Sequence, residues 1–121
     1  MMNEPDTCVT LVPYFQIKPD QLDAWKANCN AFVTKTKTEP KCVHYAFSFN
    51  GHTAHCREGY LDADGVLAHL QNVDAELKAA LAISDLVKLE VHGPAAELDK
   101  LRGPLADLKP EYFALGLGFR R

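Results

Sequence analysis

Residues 52–70, HTAHCREGYLDADGVLAHL, gather three histidines, a cysteine and a glutamate into one short stretch. Two kinds of chemistry use such a set: metal ligation, and proton transfer between a carboxylate and an imidazole. The stretch opens as a strand, whose successive side chains point to opposite faces, so His52 and His55 diverge. Cys56 returns to the face of His52 only about 13 Å further along. Ligands of one zinc ion must lie within about 2.3 Å of a common point, and the paired ligand spacings of zinc sites do not occur here. The expectation is no metal.

The same alternation puts Cys56, Glu58 and Tyr60 on one face. Asn50-Gly51 is a strong hairpin signal, and a two-residue turn at those positions places Tyr45 opposite Cys56 and diagonal to Glu58. A loop one residue longer shifts that pairing but leaves Glu58 and Tyr60 together. In the preceding strand, 42–50, Val43, Tyr45, Phe47 and Phe49 fall on one side, so that face is apolar and should meet helices. An unpaired carboxylate buried there is costly, so Glu58 needs a partner or a cavity. His69 is the natural candidate, because the helix that carries it starts directly after the strand, with Val66 and Leu70 on the same inner side. A Glu–His pair fixes the imidazole's tautomer and suits proton transfer; an internal ion pair with no chemistry is the alternative. His44, His55 and Arg57 fall on the opposite face, and His92 reads as ordinary surface.

The elements that must position these residues follow from periodicity. CVTLVPYFQI (8–17) is β-branched and aromatic and reads as a strand. From Pro19 or Asp20 to about Lys37, apolar residues recur at spacings of three and four (Leu22, Trp25, Cys29, Phe32, Val33), which predicts a helix ended by TEP. The hairpin 42–60 follows, then a helix over roughly 63–83 interrupted near Asn72, and an alternating strand at 86–93. The order β-α-β-β-α-β is the ferredoxin-like split unit, an α+β fold with an antiparallel sheet and both helices on one face. A core of about 8–93 carries an extension over 94–121: a short helix broken at Gly103-Pro104 and a last strand, EYFALGLGF. The first strand is apolar on both faces, with Val9 and Leu11 on one and Val12 and Tyr14 on the other. The expectation is a homodimer that covers the open face of the sheet.

The chain of 121 residues suits one domain. Thirteen basic and sixteen acidic residues are interspersed, and KTKTEPK is the only lysine-dense stretch, so no nucleic-acid partner is expected. MMNEPDTC has neither the basic segment nor the apolar run of a secretory signal, and no apolar run is long enough for a membrane span; the reading is cytoplasmic, with no membrane partner. Four widely spaced cysteines, Cys8, Cys29, Cys42 and Cys56, read as small buried hydrophobes.

VTLVPYFQIKPDQLDAWK, TEPKCVHYAF and REGYLDADGVLAHL, taken in order, resemble the antibiotic biosynthesis monooxygenase (ABM) domain family of the dimeric α/β-barrel superfamily. The resemblance spans about residues 8–93. It implies two subunits whose sheets form a dimeric α/β barrel, and a pocket in each subunit between sheet and helices. It implies oxidation of a small aromatic or quinol-like compound by O2 with no cofactor, the protein deprotonating the substrate in a dry pocket. By the same resemblance His69 is the proton acceptor, Glu58 its orienter, and Tyr60 an aromatic wall and hydrogen-bond donor. Tyr45 and Phe47 contact the substrate, while Trp25 and Phe32 belong to the core. Lys41 stands where the family has glycine, and Tyr60 where tryptophan is common. Relatives that degrade haem pair a histidine with an asparagine and a tryptophan; here Thr10 takes the asparagine's place, and the one tryptophan lies on the first helix. Two other functions fit the same residues: an isomerase or processing enzyme working by proton transfer alone, and a non-catalytic small-molecule-binding or stress-related dimer.

Overall fold

The computed structural model describes residues 6–121, so most of the MMNEPDTC segment lies outside the described residues. The elements run β1 (Val9–Ile17), α1 (Leu22–Thr36), β2 (Cys42–Asn50), β3 (Thr53–Tyr60), α2 (Ala63–Asn72), α3 (Asp74–Ala82), β4 (Ser84–Gly93), α4 (Ala95–Asp99), a 3₁₀ turn (Ala106–Leu108) and β5 (Glu111–Ala114). The sheet order is β2-β3-β1-β4-β5. Each neighbouring pair among the first four strands of that order is antiparallel, and the four form the expected ferredoxin-like unit. The fifth strand corrects the expectation of a purely antiparallel sheet: β5 pairs parallel to β4 of its own chain, from Glu90↔Glu111 to Gly93↔Ala114. It is also shorter than the apolar run EYFALGLGF suggests, and Leu117 and Phe119 beyond it are exposed.

In β1, Val9, Leu11, Pro13, Phe15 and Ile17 are buried, and the residues between them are partly or fully exposed, the period-2 pattern of a strand with one covered face. Pro13 has no N–H to give, and the β1–β3 register passes from Leu11↔Glu58 to Tyr14↔His55 without pairs at Val12 and Pro13. The ladder is therefore interrupted where β1 faces Cys56. Trp25 of α1 anchors one end of the core, its indole N–H donating to Ser84 Oγ at 2.9 Å. The helical stretch after β3 breaks at Val73, next to the interruption read at Asn72.

Two local details differ from the sequence reading. The hairpin turn is Gly51-His52 rather than Asn50-Gly51: Asn50 pairs with Thr53, and Gly51 takes the left-handed conformation at φ 57°. From His44 to Asn50 every pairing shifts by two, so Tyr45 stands opposite Glu58 and Phe47 opposite Cys56, with Tyr45 and Phe47 still on the inner face. The register also slips between Cys42 and His44, which turns Val43 outward to 50% exposure and sends Cys42 against the core in its place.

Candidate functional site

Helix α2 is fixed at its start before it can present His69. The Asp62 side chain accepts from Gly65 N at 3.0 Å, a helix cap, and Glu97 Oε1 of α4 accepts from Ala63 N at 3.0 Å. Lys41 Nζ in turn donates to Asp62 Oδ2 at 2.8 Å, which ties the cap to the turn before β2. Burial of Ala63, Gly65, Val66 and His69 marks the inner face.

His69 is 2% exposed, and its ring lies between those of Tyr45 and Tyr60, with centroids 5.1 and 5.2 Å away. Its Nδ1 is 3.1 and 2.9 Å from the two carboxylate oxygens of Glu39. A carboxylate can only accept, so Nδ1 carries a proton and Nε2 is the atom free to take or give one. Nε2 faces Glu58 Oε1 at 3.5 Å, and the Tyr60 hydroxyl donates to the same oxygen at 2.7 Å. Asn72 Nδ2 braces the far side, donating to Glu39 Oε2 at 2.8 Å and to the Lys35 carbonyl at 3.0 Å.

Burial pushes the Glu58 carboxyl above the usual carboxylate range, and the pull of His69 and the Tyr60 hydroxyl does not offset it. Burial, and then the Glu58 charge, push the Tyr45 and Tyr60 phenols and the Cys56 thiol upward, so these three keep their protons. The arrangement is thus a carboxyl that burial pushes toward its protonated form, beside an imidazole whose other nitrogen is held by a second carboxylate.

The pair opens on a cavity of about 40 Å³ between sheet and helices. Its walls are Leu11, Pro13 and Phe15 of β1, Tyr45 and Phe47 of β2, Cys56 and Glu58 of β3, Leu86 and Leu89 of β4, Phe32, Leu70, Val73 and Leu77 from the helices, and Leu108. Polar groups occur at one end only. Of the residues singled out in the sequence, His69, Glu58, Tyr45 and Phe47 meet at this cavity. Tyr60 does not line it; it lies fully buried behind Glu58 as a hydrogen-bond donor. Phe32 belongs to the core and lines the cavity as well.

The sequence reading pairs Glu58 with His69, and the structure adds a second carboxylate to that pair. Glu58 does contact the imidazole, but the shorter and bidentate grip is that of Glu39, which the sequence reading passed over inside the helix-breaking TEP. The signal available was an acidic residue just past a helix C-terminus, where the helix dipole disfavours it unless something else holds it. Asn72 and Cys56 were also missed as parts of the site. The two carboxylates address opposite nitrogens of one ring and so do not converge on a point. Among the described residues no trio of His, Cys, Asp or Glu side chains surrounds a space for a metal ion. His52 lies in the hairpin turn, and His55 packs edge-on against Tyr14 at 4.8 Å on the other face.

The crystal structure of MupZ from Pseudomonas fluorescens superposes with a TM-score of 0.90, at 49% identity over 95% of each chain. The chain belongs to the MupZ family. Two more distant crystal structures are those of putative antibiotic biosynthesis monooxygenases. One, from Caulobacter crescentus, is 16% identical over 71% of this chain and 88% of its own (TM-score 0.63). The other, from Chloroflexus aurantiacus, is 16% identical over 74% and 94% (TM-score 0.59). At that identity they show a common fold, and the resemblance to ABM domains read from the sequence holds as a likeness of fold. No family model and no curated protein matches the chain. Among the described residues no helix is long and apolar enough to cross a membrane.

Proposed function

We propose that this protein is an enzyme that moves a proton on a small, mostly apolar molecule held between sheet and helices. One observation carries the reading: His69 stands between Glu39 and Glu58 at the polar end of an otherwise apolar cavity, with Glu58 held above the usual carboxylate range. His69 Nε2 accepts a proton from the substrate, and Glu58, whose burial favours the protonated carboxyl, donates one to an oxygen nearby. Such a couple rearranges a substrate without an electron donor or acceptor, because two groups of distinct acidity sit within reach of one molecule. The walls are mainly leucine, valine and phenylalanine, which suits a substrate with a single polar function.

Sharing a fold with proteins named as monooxygenases favours a second reading. There the proton removed by His69 comes from a phenol or quinol, the resulting anion reacts with O2, one oxygen atom enters the substrate, and the other leaves as water. In both readings the protein acts as a cytoplasmic homodimer, the sheet face of Val12 and Tyr14 meeting a second copy.

Turnover of anthrones, hydroquinones and aliphatic hydroxy- or oxo-compounds, followed with and without oxygen, tests these readings. Conversion under nitrogen that His69→Ala abolishes supports proton transfer alone; oxygen uptake lost in the same variant supports the monooxygenase. Tight binding with no conversion of any compound would leave a binding module and overturn both.

A further inference from the structure

We propose that Glu39 is the outlet through which the buried site exchanges its proton with solvent. The inference rests on the proton-transfer reading and adds a route to it. The side chains of His69, Glu58 and Glu39 are exposed by only 2%, 7% and 8%, so none of the three groups meets bulk water over more than a small part of its surface. The inner cavity touches His69 and Glu58 but not Glu39. Glu39 lines a different space, a depression of about 210 Å³ with Thr36, Lys37, Cys42, Val43 and His44, and Tyr45 stands as the wall between the two. Lys37, Val43 and His44 are exposed, so that depression belongs to the surface.

Among the described residues, the bond from His69 Nδ1 to Glu39, at 2.9 Å, links one space to the other without passing through a phenol or a thiol. The alternative carriers are poor: the phenols of Tyr45 and Tyr60 and the Cys56 thiol are all pushed toward keeping their protons. The steps balance. A substrate proton forms a bond to His69 Nε2, the Nδ1–H bond breaks as that proton forms an O–H bond on Glu39, and the Glu39 proton then leaves for water or buffer in the depression. His69 is left neutral with its proton on Nε2; when a proton returns through Glu39 to Nδ1, the Nε2–H bond breaks and that proton passes to the product, which restores the starting tautomer. A buried aspartate behind a histidine, as in a serine-protease triad, stays ionised throughout; Glu39 differs in having solvent on its other side. Lys37, Cys42 and His44 share the depression with it, while the Lys35 ammonium is taken by Glu76 at 2.9 Å.

Exchange of the His69 ring N–H with water, measured by NMR on the whole chain without substrate, tests the route. Glu39→Gln keeps an acceptor for Nδ1 but cannot take a proton, so its ring ¹⁵N shifts should stay those of the wild type while exchange slows by about 100-fold, the low end of what a positioned proton acceptor contributes. Equal exchange rates in the two proteins overturn the outlet. Should the variant unfold or its ring ¹⁵N pattern change, the wild type decides: exchange that rises with buffer concentration, and is blunted by Val43→Trp at the mouth of the depression, supports the route, and a flat response overturns it. Because no substrate is used, an active enzyme with Glu39-independent exchange refutes only the outlet, and Glu39-dependent exchange without turnover of any compound refutes only the proposed function.

Discussion

Glu39 holds His69 through both carboxylate oxygens, at 3.1 and 2.9 Å from Nδ1, whereas Glu58 stands 3.5 Å from Nε2. The asymmetry divides the roles: the near carboxylate fixes the ring, and the far one shares the cavity with whatever binds there. His69→Ala removes the group that both carboxylates address. The expected loss in kcat/KM is about 10²–10⁴, the contribution of a positioned acid–base group. It should also cost roughly 1–3 kcal/mol of stability, because Glu39 loses the donor to its buried carboxylate. Steady-state kinetics and urea denaturation of the same preparation check both, and a variant with wild-type turnover would remove His69 from the chemistry.

The raised pKa of Glu58 has a stability consequence whose sign is opposite to that of a salt-bridged carboxylate. A group whose folded value lies above its unfolded one contributes stability that is full below the ordinary value of 4.5 and is lost as pH rises through the folded value. Glu58→Gln cannot ionise and still offers an oxygen to Tyr60. The difference in urea midpoint between variant and wild type should therefore move in the variant's favour from acid to neutral pH. A difference that is flat with pH would mean that the carboxyl is not perturbed by its burial.

Much of this could be read before any coordinates, and the part that could not has a physical reason. Period-2 and period-3.6 patterns identify β1 to β4, the helices between them and the break near Asn72, because each of these elements buries one face. Glu58, Tyr60 and His69 are legible because strand parity and a directly following helix bring them together whatever the turn does. Moving the turn by one residue to Gly51-His52 exchanged Tyr45's partner but not its face. Glu39 lies 30 residues from His69 in a segment with no periodicity, so nothing local could pair them. The β2 slip that turns Val43 outward and sets Cys42 against the core is likewise a tertiary feature that the alternation of residues along the strand does not encode.

The cap of α2 should be felt in stability. Asp62→Ala removes the acceptor for Gly65 N and the partner of Lys41, and loss of a helix cap costs about 1 kcal/mol. Glu97→Ala removes the acceptor for Ala63 N on the same turn. The two changes act on one helix end, so the double variant should differ measurably from the sum of the singles in chemical denaturation. Strict additivity would mean that α4 and the Asp62 cap hold α2 independently of one another.

Gly65 joins the helix start to the site four residues later. A Cβ built there would come within 2.9 Å of Lys41 Cβ and 3.2 Å of Tyr60 Cβ, both stiff positions close to the backbone. Only glycine allows the first turn of α2 to lie this close to β3, and that closeness sets the 3.5 Å approach of His69 to Glu58 one turn on. Gly65→Ala gains helix propensity of up to about 1 kcal/mol, but overpacking at a tight contact costs about 1–3 kcal/mol and moves the helix outward. Turnover should fall by a larger factor than stability alone explains, because the displaced imidazole loses its alignment with Glu58 while the chain remains folded. Circular dichroism melting paired with kcat/KM separates the two effects; a variant as active as wild type would show that the approach of α2 to β3 does not set the geometry of the site.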